Sequence, residues 1–223
     1  MDARTPRHGL RLKTARHPSK RGAKRIQAIV AAAEKLFLDK GYEGTSLDEV
    51  ARLANASKAT IYAYYKNKVG LFRGIVAVKL NAVFGAIESA ERGHLPIDQA
   101  LNALGQTFLT LLLSPVTLKF YRLIVSQGAE FPDLAAAWYE NGPKTAINRV
   151  ASMLRVRAAA GEIAVGNPEE AAEFFLMMLR GTLHLRAVTG LAKPPFDDAI
   201  AAKVAAATEL FLKAHTPRRR VPS

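Results

Sequence analysis

Apolar residues recur every three or four positions along most of the chain, which is the spacing of one face of an α-helix. The first stripe begins at Ile26, continues through Ile29 and Phe37, and stops at Lys40-Gly41. A lysine followed by glycine is a common end of a helix. Strand-like alternation, hairpin dipeptides and internal repeats do not stand out, so the pattern predicts an all-α fold of about nine or ten helices.

Capping residues predict where the helices of the N-terminal third begin. Ser46 and Glu49 have the spacing of a capping box, in which two side chains satisfy backbone N–H groups of the first turn. Ser57 caps a third helix of residues 58 to about 65, and Asn67 caps a longer fourth helix that runs to about residue 91.

Prolines and glycines divide the remainder of the chain. Asn167, with proline and two glutamates after it, is a dense helix N-terminal signature. Gly142-Pro143 must break or kink the helical stretch in which it lies. The helices predicted from these signals cover about residues 96–113, 115–128, 132–161 with that break, 168–188 and 196–214.

Residues 45–64 have the pattern of two short helices joined by a tight turn. Ala51 is small where a steeply crossing helix needs room, and Asn55 tolerates the positive φ that such a turn requires. The apolar contacts between the two helices would come from Val50, Ala54 and Ile61. This spacing indicates a helix-turn-helix, whose second helix enters the major groove of DNA with its N-terminal residues nearest the bases.

The exposed face of that second helix would be a mixture of one cation, hydroxyl groups and small side chains. Its residues are Lys58, Ala59, Thr60, Tyr62 and Ala63. Hydroxyl groups can bond to bases or phosphates, and apolar atoms can contact thymine methyl groups. On the residues alone, a helical hairpin with an ordinary polar face stays open as the alternative.

Positive charge is concentrated at the two ends of the chain. The formal net charge is +13, and residues 1–25 hold nine lysines or arginines against one aspartate. This asymmetry favours an anionic partner, of which phosphate backbones are the commonest. Residues 1–21 are interpreted as a flexible basic arm that either lies in an adjacent minor groove or is inert, and 216–223 as a basic tail. An Arg-rich transit peptide is a further alternative for the arm.

Composition and motifs exclude several classes of protein. Without cysteine there is no disulfide, thiolate zinc site or cysteine nucleophile. Phosphate-loop, dinucleotide and hydrolase motifs are missing, and the histidines are isolated, so we expect no enzyme, no cofactor and no metal site. The longest apolar run, at about 107–116, is too short to span a membrane. We expect a cytoplasmic protein without a membrane partner.

Two segments, GYEGTSLDEVA at 41–51 and ASKATIYAYYKNK at 56–68, together with Leu71-Phe72, resemble the DNA-binding domain of tetracycline-repressor-like (TetR) regulators. The resemblance covers about residues 22–82 and implies a three-helix DNA-binding domain there. The positions that it associates with DNA contact are Thr45, Ser46, Ser57, Lys58, Ala59, Thr60, Tyr62, Tyr64 and Lys68.

Within that set, the resemblance implies phosphate contacts for Thr45, Tyr64 and Lys68, and base-facing or backbone-facing roles for recognition-helix residues. Core positions of the family are matched by Phe37, Tyr65, Leu71 and Phe72. Two departures from the family are Asn55 and Ala59, which stand where glycine is more common. The methyl group of Ala59 leaves the details of the operator contact in question.

Residues 83–215 resemble the regulatory and dimerisation half of the same family, and residues 128–134 with Trp138-Tyr139 resemble its AefR-like subgroup. The resemblance implies dimerisation through the last two helices and a pocket for a small effector. Candidate pocket residues are Leu104, Phe108, Phe120, Tyr121, Trp138, Met177 and His184, although each could be an ordinary core residue. An apolar band that could be monomer core or dimer interface comprises Phe174, Phe175, Met178, Leu179, Leu183, Leu210 and Phe211.

These observations predict a sequence-specific transcription regulator that binds double-stranded operator DNA as a homodimer. Because the family mostly represses, we expect a repressor that a small, largely apolar effector releases from its operator. The alternative is a protein that binds nucleic acids non-specifically through its basic ends. Salt dependence separates the two, because non-specific binding collapses steeply as ionic strength rises.

Overall fold

The computed structural model describes residues 20–92 and 95–216, and within these ranges the secondary structure is entirely helical. The basic arm therefore lies outside the described residues up to position 19, and so does the tail from position 217. The ten helices are α1 (Lys20–Lys40), α2 (Leu47–Leu53), α3 (Lys58–Tyr65), α4 (Lys68–Arg92), α5 (Ile97–Leu112), α6 (Pro115–Gln127), α7 (Pro132–Asn141), α8 (Pro143–Ala159), α9 (Pro168–Val188) and α10 (Asp197–Ala214). The predicted all-α fold is confirmed.

The start of α1 differs from the sequence prediction. The apolar stripe placed the start at Ile26, whereas the helix begins at Lys20. Lysine, arginine and alanine are good helix formers, so the basic segment extends the helix by one and a half turns without an apolar face. Periodicity alone could not detect this extension.

The predicted caps are present. The Ser46 hydroxyl accepts a hydrogen bond from the Glu49 N–H at 3.2 Å. The Glu49 carboxylate pairs with Lys40, and this hydrogen bond, together with one from the Ser46 backbone, lowers the pKa of Glu49. Ser57 caps α3 by accepting from the Thr60 N–H at 3.1 Å, and the Asn67 side chain accepts from Gly70 N–H at 2.8 Å.

Two hydrophobic cores organise the helices. The first packs α1 to α4 around Phe37, Ile61 and Phe72, and it also includes Phe120 of α6 and Leu134 of α7. The second core is formed by α5, α8, α9 and α10. Helix α4 reaches both cores and is continuous across residue 82, where the sequence prediction divides the domains. The N-terminal helices therefore rest directly on α6 and α7.

The apolar band on the last two helices divides between core and surface. Phe175, Leu179 and Phe211 are fully buried, whereas Phe174 is 59% exposed and Leu210 is 60% exposed. The remaining members of the band, Met178 and Leu183, are half-buried. Helix α9 is also kinked at Gly181, where φ is 41° and ψ is −151°. Part of the band is therefore monomer core, and for its exposed residues a dimer interface stays a prediction.

Helices α5 and α6 meet at a sharp corner. Ser114 caps α6 by accepting from the Thr117 N–H, and Pro115 occupies the first turn. In the described part of the chain, no single helix is long and apolar enough to span a membrane. Helices α5 and α6 taken together have sufficient length and apolar composition, but they are bent by 65° relative to each other.

Candidate DNA-binding surface and ligand pocket

Helices α2 and α3 and the turn between them form a helix-turn-helix. Asn55 has a φ of 49°, as the turn requires, and the Ala56 N–H donates to the Ala51 carbonyl at 2.9 Å. Ala51 is buried between the helices, and Val50 and Ile61 are fully buried beside it. The small residue, the turn residue and the apolar contacts therefore have the positions that the sequence predicted.

One face of α3 is exposed to solvent. Lys58 and Tyr62 are one helical turn apart on this face, as are Ala59 and Ala63. Thr60 is half-buried, and its hydroxyl lies 2.8 Å from the hydroxyl of Ser57. The sequence predicted Thr60 to be an exposed side chain of α3, but it is half-buried and its hydroxyl contacts the capping residue Ser57.

An acidic residue lies beside the cation of this face. Lys58 forms a 2.5 Å ion pair with Asp48 of α2, and both side chains are well exposed. The hydrogen bond from Lys58 to Asp48 raises the pKa of the Lys58 ammonium. Exposed ion pairs contribute little to stability, so a phosphate can replace the carboxylate at low cost.

Two predicted phosphate contacts are engaged inside the domain. Thr45 is buried, and its hydroxyl donates to the Gly41 carbonyl at 2.8 Å. Lys68 donates to the carbonyls of Tyr42 and Glu43 at 2.7 and 3.1 Å, and its nitrogen lies 4.6 Å from the centre of the Tyr42 ring. Partial burial lowers the pKa of Lys68. Both side chains hold the segment between α1 and α2, and their phosphate contacts stay predictions.

The other candidate contacts lie at the ends of the two helices. Ser46 and Ser57 are exposed, but their hydroxyl oxygens accept the capping bonds of α2 and α3. Tyr64 is exposed in the last turn of α3, with its ring centre 6.3 Å from that of Tyr65. Tyr62 and Tyr64 are therefore the large side chains that this surface presents.

A largely apolar cavity of about 150 Å³ lies between α4, α5, α6, α7, α8 and α9. The predicted ligand-binding residues that line it are Phe108, Phe120, Tyr121, Trp138 and Met177. Five of the six candidates other than Leu104 therefore line one cavity, although they come from four different helices. Leu104, also considered for the pocket, is fully buried in the second core and does not line the cavity.

His184, predicted as a pocket residue, is not among the residues that line this cavity. Its ring packs edge-on against Tyr121, with centres 4.7 Å apart, and its Nδ1 accepts a hydrogen bond from Nε of Arg180 at 3.1 Å. His184 therefore lies behind two lining residues. Burial, followed by the nearby Arg180 charge, lowers the pKa of His184 to about 4, so the ring is neutral at physiological pH.

Comparison with known proteins matches both halves of the chain. Residues 99–217 match a family model described as the AefR-like transcriptional repressor, C-terminal domain, and residues 29–75 match the model of bacterial regulatory proteins of the tetR family. The chain belongs to the TetR family. It is a helix-turn-helix DNA-binding regulator of transcription, and both matched segments are regulator domains.

Individual members of the TetR family are similar over different lengths. A crystal structure of a protein from Mesorhizobium loti described as a TetR-family regulator has 29% identity and a TM-score of 0.73, and covers 89% of this chain and all of that one. The flavonoid-responsive regulator FrrA has 33% identity and a TM-score of 0.67 over 88% of this chain and 99% of its own.

A further relative is the HTH-type transcriptional regulator YhgD of Bacillus subtilis, which is 37% identical over 78 residues. The match includes 35% of this chain and 41% of YhgD, so the chain covers less than half of that relative's length. These similarities indicate TetR architecture over most of the chain.

The cavity of this TetR-family chain also has charged lining residues that the sequence analysis missed. Its lining residues include Lys79, Arg180 and Glu173. Lys79 pairs with Glu34 of α1 at 2.8 Å. The available signal was an arginine within the mainly apolar stretch 174–185, but the sequence analysis selected pocket residues mainly by aromatic character.

Helix α6 connects the cavity with the DNA-binding helices. Its residues Phe120 and Tyr121 line the cavity, and the side-chain oxygen of Gln127 at its end accepts from the Tyr42 N–H at 2.9 Å. The rings of Phe120 and Phe72 are also in edge contact, 5.9 Å apart. Helix α6 therefore contacts both the cavity and the segment between α1 and α2.

Proposed function

We propose that this TetR-family chain is a homodimeric repressor that a small, largely apolar effector releases from its operator. The observation that carries the proposal is the position of α6, which forms a wall of the apolar cavity and holds the segment before α2 through Gln127. A molecule in the cavity contacts α6 directly. Repression is supported by the description of the matched C-terminal model as that of a transcriptional repressor.

The exposed apolar residues of the last two helices support a dimer. Phe174 of α9 and Leu210 of α10 are well exposed on helices that carry the second core on their other sides. Large exposed apolar side chains on neighbouring helices are typical of an interaction surface. Two copies related by a twofold axis would present two recognition helices to half-sites about one DNA turn apart.

Release from DNA then follows from a shift between two conformations. An effector can favour the DNA-free conformation only to the extent that it binds that conformation more tightly. Displacement of α6 would strain the bond between Gln127 and Tyr42 and thereby change the position of α2 and α3. Ligand response is also supported by the similar structure of FrrA, which is described as flavonoid-responsive.

The first experiment selects genomic DNA fragments with the purified protein at physiological salt and excess non-specific competitor. Recovery of one or a few near-palindromic sites is the expected result, because a dimer reads two related half-sites. Uniform recovery would contradict sequence-specific reading. It would favour the alternative in which the basic ends bind nucleic acid non-specifically, with a steep dependence on salt.

The second experiment tests the coupling through α6. Gln127→Leu removes the acceptor for the Tyr42 N–H but keeps a side chain of similar size. Small molecules are first screened for release of the recovered operator, measured by fluorescence anisotropy. The variant should bind a releasing molecule as the unmodified protein does but release DNA at a different concentration. An unchanged release curve would contradict coupling through this contact, and failure of every bound molecule to release the operator would contradict an effector-controlled repressor.

A further inference from the structure

Arg180 of α9 is an unusual component of the mainly apolar cavity. Its side chain is half-buried and lines the cavity next to Tyr121 and Met177. Its Nε donates to His184, one of its terminal nitrogens donates to the Tyr121 hydroxyl, and its guanidinium lies 4.8 Å from the centre of the Tyr121 ring. All of these contacts are with uncharged groups.

The charge of Arg180 has no counter-charge in the described residues. No carboxylate there lies within ion-pairing distance of the guanidinium. Because guanidinium groups keep their charge in proteins and a partly buried charge is costly without a partner, the site favours an anion. His184 cannot supply one, since its ring is neutral or positive.

The other charged groups of the cavity leave this imbalance in place. Lys79 is already paired with Glu34. Glu173 is exposed, and seven residues before Arg180 on α9 it lies about 10 Å away along the helix axis. At this separation its charge is screened by solvent far more than that of a contacting carboxylate. The cavity therefore has a mainly apolar lining and one cationic lining residue, Arg180, without a paired carboxylate in the described residues.

We propose that the effector of this cavity is a carboxylic acid with an apolar body, and that Arg180 binds its carboxylate. The inference rests on the proposed role of the cavity as an effector site. Two of the five guanidinium N–H donors are used by His184 and Tyr121, which leaves three for a carboxylate. A volume of about 150 Å³ suits an apolar group of the size of one aromatic ring or a short alkyl chain.

A purely structural role for Arg180 makes a different prediction. The bonds from Arg180 to Tyr121 connect α9 with α6, and such a connection stabilises the fold whatever enters the cavity. In that case an acid and its uncharged amide would bind equally well. Preference for the charged ligand therefore distinguishes an anion-binding residue from a structural one.

The test is calorimetric titration without DNA, using three acids and their matched amides: benzoate and benzamide, 4-ethylbenzoate and 4-ethylbenzamide, octanoate and octanamide. The acids should bind at least about tenfold more tightly than the amides, as expected for charge-assisted hydrogen bonds. In Arg180→Gln this preference should disappear while amide binding stays the same. Equal binding of acids and amides, a preference that survives in Arg180→Gln, or no binding of any acid at millimolar concentration would overturn the proposal.

Two further variants control for charge and folding. Arg186→Gln removes an exposed arginine of the same helix outside the cavity, so it should keep the preference for acids. If Arg180→Gln fails to fold, Arg180→Lys is used, which preserves the charge without the planar guanidinium. Its preference for acids over amides should be weaker than that of the unmodified protein but not absent.

Operator release separates this inference from the proposed function. Acids that bind selectively through Arg180 without releasing the operator would support a carboxylate-binding site at Arg180 and contradict its role in effector-controlled repression. Release by amides as effectively as by acids would contradict the inference and support the repressor. Both measurements use the same full-length protein and the same six compounds.

Discussion

Replacement of Tyr62 by alanine should weaken operator binding without unfolding the protein. Tyr62 is 51% exposed on the solvent face of α3. A tyrosine buries about 200 Å² when fully covered, so about 100 Å² of the ring is available to DNA, which corresponds to at most about 2.5 kcal/mol. Together with the usual cost of a lost recognition contact, this gives an expected loss of about 1 to 3 kcal/mol, or about 5- to 150-fold in operator affinity.

The matched control is Tyr139→Ala on α7. Tyr139 is 50% exposed, nearly the same as Tyr62, but lies outside the helix-turn-helix. Fluorescence anisotropy with operator and scrambled DNA should show a loss for Tyr62→Ala that is larger on the operator, and no loss for Tyr139→Ala. Urea unfolding should give similar small stability changes for both. Unchanged operator affinity in Tyr62→Ala, or equal losses in the two variants, would refute the assignment of Tyr62 to the contact surface.

Three other substitutions test the phosphate contact of Lys68, the close packing at Gly70 and the buried His184. Lys68→Ala should weaken operator and random DNA alike and lower the salt slope by about one, and a sequence-dependent loss would contradict a phosphate contact. Gly70→Ala should destabilise the fold by about 1 to 3 kcal/mol in urea unfolding, because its Cβ would lie 1.9 Å from the Tyr65 carbonyl oxygen; unchanged stability would contradict this close approach. The low pKa of His184, about 4, means that its contribution to stability is present above about pH 6.5 and is lost as the pH falls toward 4. His184→Gln should therefore lose less stability across this pH range, and an unchanged pH profile would contradict the assignment.

Local signals explain why most helix boundaries could be predicted from sequence. A serine before the first apolar turn caps α3, and Asn167 followed by proline caps α9, each through contacts within three residues. Gly142-Pro143 separates α7 from α8 because proline cannot continue the preceding hydrogen-bond ladder. The ion pair of Glu49 with Lys40 was not predictable in this way, because Lys40 lies on another helix.

The candidate DNA surface was only partly predictable for the same reason. The exposed face of α3 follows from helical periodicity and from the inward position of Ile61. The role of Lys68 in holding the Tyr42 and Glu43 carbonyls depends on contacts with residues 25 and 26 positions earlier. Sequence spacing contains no signal for such distant pairs, so a lysine assigned to phosphate proved also to be a structural donor.

The sequence by itself determined the helices, the helix-turn-helix and the concentration of positive charge, because caps, periodicity and turn residues act over a few neighbouring positions. Only the tertiary structure decided which apolar residues enclose a cavity and which charged group lies in it. Tyr121, Trp138 and Arg180 come from three helices, and their relative positions depend on how those helices pack. The same packing turned His184 away from the cavity and behind Tyr121, where burial keeps its ring neutral.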